Sequence, residues 1–368
     1  MCGTIEQDPE GGHSFVKRKD LTLRLVVQKL DSPDEEHPSL DELEKAHFAC
    51  QALGDLDLWS IPTMRWGERP EADPNCSPTV AAYQINLARD GLVFSMHSHH
   101  YASDVMSWSN FTHQLADNCY AIANSTPFPP WDPKCNDVAR FTRDLPEEEL
   151  VDGPPIPQRH PDHPEQQCIL VHLPKSKANQ LKEQATPSDP AAQWISTYDG
   201  MCAYIWRLLS KAVNMRPRIH NPPVPERMLR NVLAGAFSDT APVPAPTAGE
   251  VISEAPLSKL AGYIRALTES CTEQHLENLI AAIAPIRDKR SISLRVDAHP
   301  PMSMSVTDHR SGDGSLITAG LILVYAPIRS GADPDEGCMF TFTMEKELVP
   351  KLLEDSEWNA YFDYRGGD

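Results

Sequence analysis

From Met96 to Asp104 the chain reads Met-His-Ser-His-His-Tyr-Ala-Ser-Asp, so His97, His99 and His100 stand close to one carboxylate. Histidine is the side chain whose ordinary pKa leaves much of it neutral near pH 7, which lets His100 take a proton from an attacking hydroxyl or amine. Asp104 follows four residues later, near enough on a short loop to return to the same region and hold a cation or the shape of the loop. Alone, the spacing His-x-x-x-Asp is a weak signal, because short motifs recur in chains that do no such chemistry. A metal reading competes with it. On a strand His97 and His99 share one face, as two ligands would, but beyond Asp104 no third ligand stands at a suitable spacing. The expectation is one catalytic histidine, packing neighbours and no metal.

These residues need an element to hold them. Residues 91–96 alternate as a strand and deliver His97 to His100 at its C-terminal end, with further strands expected over 21–27, 83–87, 321–325 and 339–343. Apolar residues recur at helical spacing over 108–123, 197–213, 256–268 and 275–284, and a closing helix is expected over 346–353. Helices and strands interleave, so the class is α/β or α+β. The 34 prolines cluster, marking a crossover from 144 to 166 and long loops over 221–225 and 239–256. With 368 residues, two domains are expected, 1–143 and 167–368, joined by that crossover.

Charge and cysteine usage narrow the function. A balance of 33 basic against 52 acidic side chains, net -19, argues against a nucleic-acid partner, because binding a phosphate backbone rests on Lys and Arg releasing counterions. Nine cysteines fall as singletons with no CxxC pair, which fits reduced thiols better than a zinc or disulfide framework. The first 20 residues are polar, and no apolar run reaches membrane-spanning length, so a cytoplasmic protein with no membrane partner is expected.

The order of features along nearly the whole chain resembles the BAHD acyltransferases, and within them the fungal trichothecene acetyltransferase-like branch. The likeness begins at Cys2-Gly3-Thr4-Ile5-Glu6-Gln7-Asp8 and continues through His100-Tyr101-Ala102-Ser103-Asp104. It runs on through Trp194-Ile195-Ser196-Thr197-Tyr198-Asp199-Gly200 and Val213-Asn214-Met215-Arg216-Pro217-Arg218 to Asn231, and ends in Leu353-Glu354-Asp355-Ser356-Glu357-Trp358. The resemblance implies an α/β, chloramphenicol acetyltransferase-like two-domain architecture with a mixed sheet and helices in each domain. It implies acyl-CoA, most simply acetyl-CoA, as co-substrate with no bound cofactor, a small secondary metabolite as acceptor, and a monomer.

Residue by residue, the resemblance makes His100 the general base of a direct transfer without an acyl-enzyme. Asp104 becomes a structural anchor paired with Arg216, and Thr307 a donor to the developing oxyanion. Asn231 becomes a support near the domain junction, and Arg216, Arg218 and Arg230 a cationic neighbourhood for the CoA phosphates. An acyltransferase-like binding or regulatory protein without turnover is the alternative. The chain departs from the family in three ways. Val105 replaces the glycine that usually follows the aspartate. The Asp-Phe-Gly-(Trp/Phe)-Gly loop is missing, and His309 stands in place of a tryptophan. The likeness also starts after the family's first strand and long helix, so apolar surface is expected on the N-terminal sheet.

Overall fold

The computed structural model describes residues 3–7, 9, 12–32, 36–61, 74–155, 158, 161, 165–206, 210–214, 233–235, 242–247, 250–292, 305–309, 321–325 and 334–367. The chain divides immediately after Asp104 into two compact units, the first also taking in the C-terminal Arg365–Asp368.

The first unit carries strands β1 (Thr4–Gln7), β2 (His13–Val16), β3 (Leu25–Leu30), β4 (Ala81–Ala88) and β5 (Gly91–Ser98), with short helices α1 (Leu40–Lys45), α2 (Cys50–Leu53) and α3 (Leu56–Trp59). β1 and β2 form an antiparallel pair. β4 is central in a three-stranded sheet, parallel to β3 and antiparallel to β5. The β4–β5 turn closes through Asp90 at φ 68°, a left-handed conformation that Asp tolerates and tight hairpins use. A capping box starts α1: Glu42 N–H donates to Ser39 Oγ at 3.2 Å, and Ser39 N–H donates to Glu42 Oε2 at 2.7 Å. The bonds that Ser39 N–H and, at 2.9 Å, Ser39 Oγ donate to the Glu42 carboxylate, first the backbone one, hold it below its ordinary pKa. Leu40 then packs so closely on the hairpin that a Cβ at Gly91 would lie 2.3 Å from its Cδ2.

Side chains of one face of this sheet bind the carbonyl end of α3. Asn86 donates to Trp59 O at 3.2 Å, Gln84 donates to Leu58 O at 2.9 Å, and Ser95 donates to Trp59 O at 2.5 Å. Apolar packing of Leu30, Leu43 and Trp59 closes the same side. β3 has less cover: Leu25 and Val27 are 54% and 56% exposed, so the expected apolar surface is present at this sheet edge. Residues 21–24 alternate as a strand would, but pairing with β4 begins only at Leu25 opposite Tyr83, which moves β3 to the C-terminal side of the expected 21–27.

The second unit contains helices α4 (Val105–Asn124), α5 (Lys175–Ala185), α6 (Thr197–Trp206), α7 (Leu257–Ser270), α8 (Glu273–Ile283), α9 (Val349–Glu354) and α10 (Ser356–Asn359). Its strands are β6 (Gln166–Leu173), β7 (Ser210–Asn214), β8 (Leu233–Gly235), β9 (Ser305–His309), β10 (Leu321–Tyr325), β11 (Cys338–Glu345) and the start of β12 (Asp363–Gly367), whose residues from Arg365 on are counted with the first unit; the sheet order is β12-β6-β11-β10-β9-β7-β8. The β9–β10 and β7–β9 pairs are parallel while β10–β11 and β11–β6 are antiparallel, so the sheet is mixed and the class is α/β as expected. Ile169, Val171, Leu173, Phe340 and Phe342 build the core against Trp358 and Phe362, whose rings stack 4.2 Å apart. Gly200 lets α6 approach α5, since a Cβ there would sit 3.3 Å from Leu181 O.

One expectation is corrected here. The helix expected over 197–213 stops at Trp206, and residues 210–214 form β7, where Ser210 and Lys211 pair with Ser305 and Val306. Ala212 and Val213 satisfy a helical period, but their ladder partners lie far away in sequence, where periodicity cannot see them. The expected closing helix begins as a 3-10 turn over Lys346–Leu348 before α9.

The residues just before the crossover are strapped to α8, and Val151 within it to the residues just after α8. Arg140 pairs with Glu273 at 2.5 Å and Arg143 with Glu277 at 2.8 Å. Val151 N–H donates to Pro285 O at 2.8 Å, and Arg287 N–H donates to Val151 O at 2.9 Å. Among the described residues no helix is long and apolar enough to cross a membrane.

Candidate active site

β5 ends at Ser98, and the next residues turn sharply before α4 begins at Val105. His100 sits at the head of this turn, half-buried, where the strand expected at 91–96 was to deliver it. Asp104, 3% exposed, lies at the turn's end, and Ala102 is buried in a small cluster with Ile5 and Val80. The six residues from His99 to Asp104 are therefore held from within the first unit, by its own strands and bonds.

His99 organises those bonds. Its N–H donates to Val80 O at 2.9 Å, and its C=O accepts from Ala102 N–H at 2.9 Å and Ser103 N–H at 3.3 Å. Its ring Nδ1 accepts from Tyr101 N–H at 3.2 Å. Ser98 Oγ and Ser103 Oγ hydrogen-bond at 2.5 Å across the same turn. Tyr101 stacks edge-on against His99, with centroids 5.1 Å apart, and against His13 at 5.6 Å. The turn thus holds its shape without the glycine usual after the aspartate, because Val105 is already the first helical residue and needs no left-handed conformation.

The neighbouring histidines do different work. His97 faces the polar side of the sheet, where its Nε2 accepts from Ile61 N–H at 3.3 Å. His99 lies beyond the strand and turns inward, 2% exposed. Hence the shared strand face on which two-ligand metal binding depended is not formed. Among the described residues no cluster of three or more His, Cys, Asp or Glu side chains could hold a metal ion.

Of the remaining residues expected at the site, Thr307 lies on β9 in the second unit, in parallel register with Leu323 of β10. Arg216, Arg218, Arg230 and Asn231 lie outside the described residues. The structure therefore brings together His99, His100 and Asp104 in one turn and places Thr307 on a separate element. The Ser98–Ser103 brace and the role of the His99 ring carry no motif, and only their positions either side of a turn hint at them.

A buried ion pair in the second unit was also not foreseen. Asp199, in the expected helix after the crossover, accepts from Ser196 N–H at 2.7 Å and Ser196 Oγ at 2.6 Å, and pairs with the Arg265 guanidinium. Ser196-Thr197-Tyr198-Asp199 is the spacing of a capping box, which the sequence does show, but the partner from α7 is 66 residues away.

Comparison with known proteins gives the turn its context. Residues 2–119 match the family model of the trichothecene 3-O-acetyltransferase-like N-terminal domain. The chain is 46% identical over 405 aligned residues to acetyltransferase FGR3 of Gibberella zeae (strain PH-1), covering 100% of this chain and 81% of that protein. Trichothecene 3-O-acetyltransferase TRI101 of Fusarium sporotrichioides is 23% identical over 398 residues, 96% of this chain and 83% of that one. In fold, the crystal structure of F. graminearum TRI101 complexed with coenzyme A and T-2 mycotoxin superposes with a TM-score of 0.73 at 19% identity, covering 99% of this chain and 87% of that one.

Proposed function

Because this chain belongs to the trichothecene 3-O-acetyltransferase-like branch of the BAHD acyltransferases, we propose that it transfers an acyl group, acetyl in the simplest case, from acyl-CoA to a hydroxyl or amine of a small secondary metabolite. The observation that carries the reading is the braced turn at the end of β5, which presents His100 half-buried at its head and ends on the buried Asp104. A general base must be held still and must keep access to its substrate, and this placement meets both needs.

In this reading His100 takes the acceptor's O–H or N–H proton as the oxygen or nitrogen attacks the thioester carbonyl. The tetrahedral oxyanion collapses, the C–S bond breaks, and the CoA thiolate leaves with the proton from the imidazolium. No acyl-enzyme forms. Thr307 is the proposed hydrogen-bond donor to the oxyanion, a contact whose loss costs about 3–4 kcal/mol where it is made. Asp104 is a structural anchor with Arg216 as its proposed partner, and Asn231 supports the same region. Arg216, Arg218 and Arg230 are the proposed cations for the CoA phosphates. The proposed domains are residues 1–143 and 167–368, joined by the crossover 144–166.

The similar structure in complex with T-2 mycotoxin supports that toxin and other hydroxylated small metabolites as the first acceptors to try. The eight described cysteines are thiols rather than disulfides, which supports a reducing, cytoplasmic setting, and a monomer is the simplest working form.

Purified protein with acetyl-CoA and a panel of hydroxylated metabolites should release thiol, and His100→Ala should slow release by roughly 10²–10⁴-fold. Release that survives the substitution overturns the assignment of the base. Acetyl-CoA binding without release on any acceptor would identify a binding protein instead, the reading that the missing Asp-Phe-Gly-(Trp/Phe)-Gly loop favours.

A further inference from the structure

Three consecutive peptide N–H groups just after His100 all end on one residue. Tyr101 N–H donates to the ring Nδ1 of His99, while Ala102 and Ser103 N–H donate to its carbonyl oxygen. Two of these bonds are backbone contacts that any residue at 99 could make. The third needs the side chain, and it falls on the peptide that joins His100 to Tyr101.

A backbone N–H only donates, so Nδ1 of His99 must present its lone pair, and a neutral ring then carries its proton on Nε2. At 2% exposure the ring has no room to swing away, and Tyr101 closes edge-on against it. The peptide plane after His100 sets the backbone from which the His100 side chain departs, and a general base displaced by about 1 Å can lose about 100-fold in rate. We propose that His99 is a positioning residue: its Nδ1 lone pair, by holding the His100–Tyr101 peptide, aims the imidazole of His100 at the acceptor. The proposal rests on His100 being the base.

Side chains of different reach separate this role from mere packing. The amide oxygen of Asn lies where Nδ1 of His lies, so His99→Asn keeps the acceptor. That of Gln lies near Nε2, and Leu has none. His99→Asn should keep kcat within about threefold of wild type, whereas His99→Gln and His99→Leu should lose about 10–100-fold in kcat, with KM for acetyl-CoA within about twofold. In the His100→Ala background, His99→Leu should cost nothing further, because there is no base left to aim. Independently of any variant, the ¹⁵N signals of His99 in the intact protein should report the Nε2–H form.

An Nδ1–H form overturns the proposal, as does equal loss of kcat in the Asn and Gln variants, or a further loss in the His100→Ala background. A His100→Ala protein with full activity instead overturns the base itself, and that result is read without any change at His99.

Discussion

Removing the carboxylate of Asp199 should unfold the second unit at a markedly lower temperature. This side chain is 1% exposed; it caps α6 through Ser196 and faces the Arg265 guanidinium, itself 14% exposed. In Asp199→Ala the two bonds that its carboxylate accepts from Ser196 are lost, while Ser196 Oγ still accepts from the backbone N–H at 199, a change that costs about 1 kcal/mol. The larger effect is on the arginine, left charged beneath the surface with only the ring of Trp194, 4.9 Å away, as a described favourable neighbour. Breaking a buried pair by removing one partner costs about 3–5 kcal/mol, and the two effects share one side chain, so about 4 kcal/mol is expected in all. At about 2–4 °C per kcal/mol for a unit of this size, calorimetry at neutral pH should show Tm falling by about 8–16 °C. Removing both charges is the decisive comparison. Asp199→Ala with Arg265→Met should recover more than half of the loss, because an apolar replacement of both partners carries no stranded charge. A single variant melting within about 2 °C of wild type, or a double variant less stable than the single one, would refute the reasoning.

Other perturbations test the parts of the fold that surround the turn and the main sheet. Gly337→Ala would place a Cβ 1.7 Å from Leu173 O and 2.8 Å from Lys175 N, so β11 must shift from the end of β6; a loss of about 1–3 kcal/mol or more is expected, read as Tm and soluble yield. Asn86→Ala removes the side chain that donates to Trp59 O at 3.2 Å and to Val93 O at 3.3 Å and accepts from Gln84 at 2.7 Å; about 2–3 kcal/mol should be lost, with faster protease cleavage near residues 58–61. Burial pushes the Tyr83 phenol from 10.0 up to about 12, so above 10.0 the unfolded chain gives up this proton while the folded one keeps it. Stability should therefore fall as pH rises from 10.0 toward 12, and Tyr83→Phe should show a shallower alkaline decline in urea unfolding.

How much of this was legible in the sequence follows from the range over which each signal acts. The strand at 91–96, the helices at 108–123, 256–268 and 275–284, and the strand at 321–325 all appear within a few residues of their expected places, as β5, α4, α7, α8 and β10. Each is long or regular enough for its own alternation or helical period to show. β6 and α5 were not marked out by pattern, and 210–213 read as helix, because β6 is committed by its pairing with β11 and β7 by its pairing with β9, partners more than 90 residues away.

The candidate site divides in the same way. That His100 would stand at the end of a strand, with Asp104 a short turn later, was contained in six consecutive residues and in the alternation before them. That His99 would turn inward and meet the Tyr101 amide, while His97 reaches Ile61, was not. Three histidines in four positions look alike as letters. Their difference arises only when the strand stops at Ser98, so that His97 keeps the sheet's alternation and the next two residues follow a turn closed onto Val80. Local pattern names the residues that can move a proton, because chemistry is a property of the side chain. Which of them faces solvent, which faces the core and which holds the other in place depends on backbone groups brought together from distant parts of the chain, and the folded structure alone supplies those.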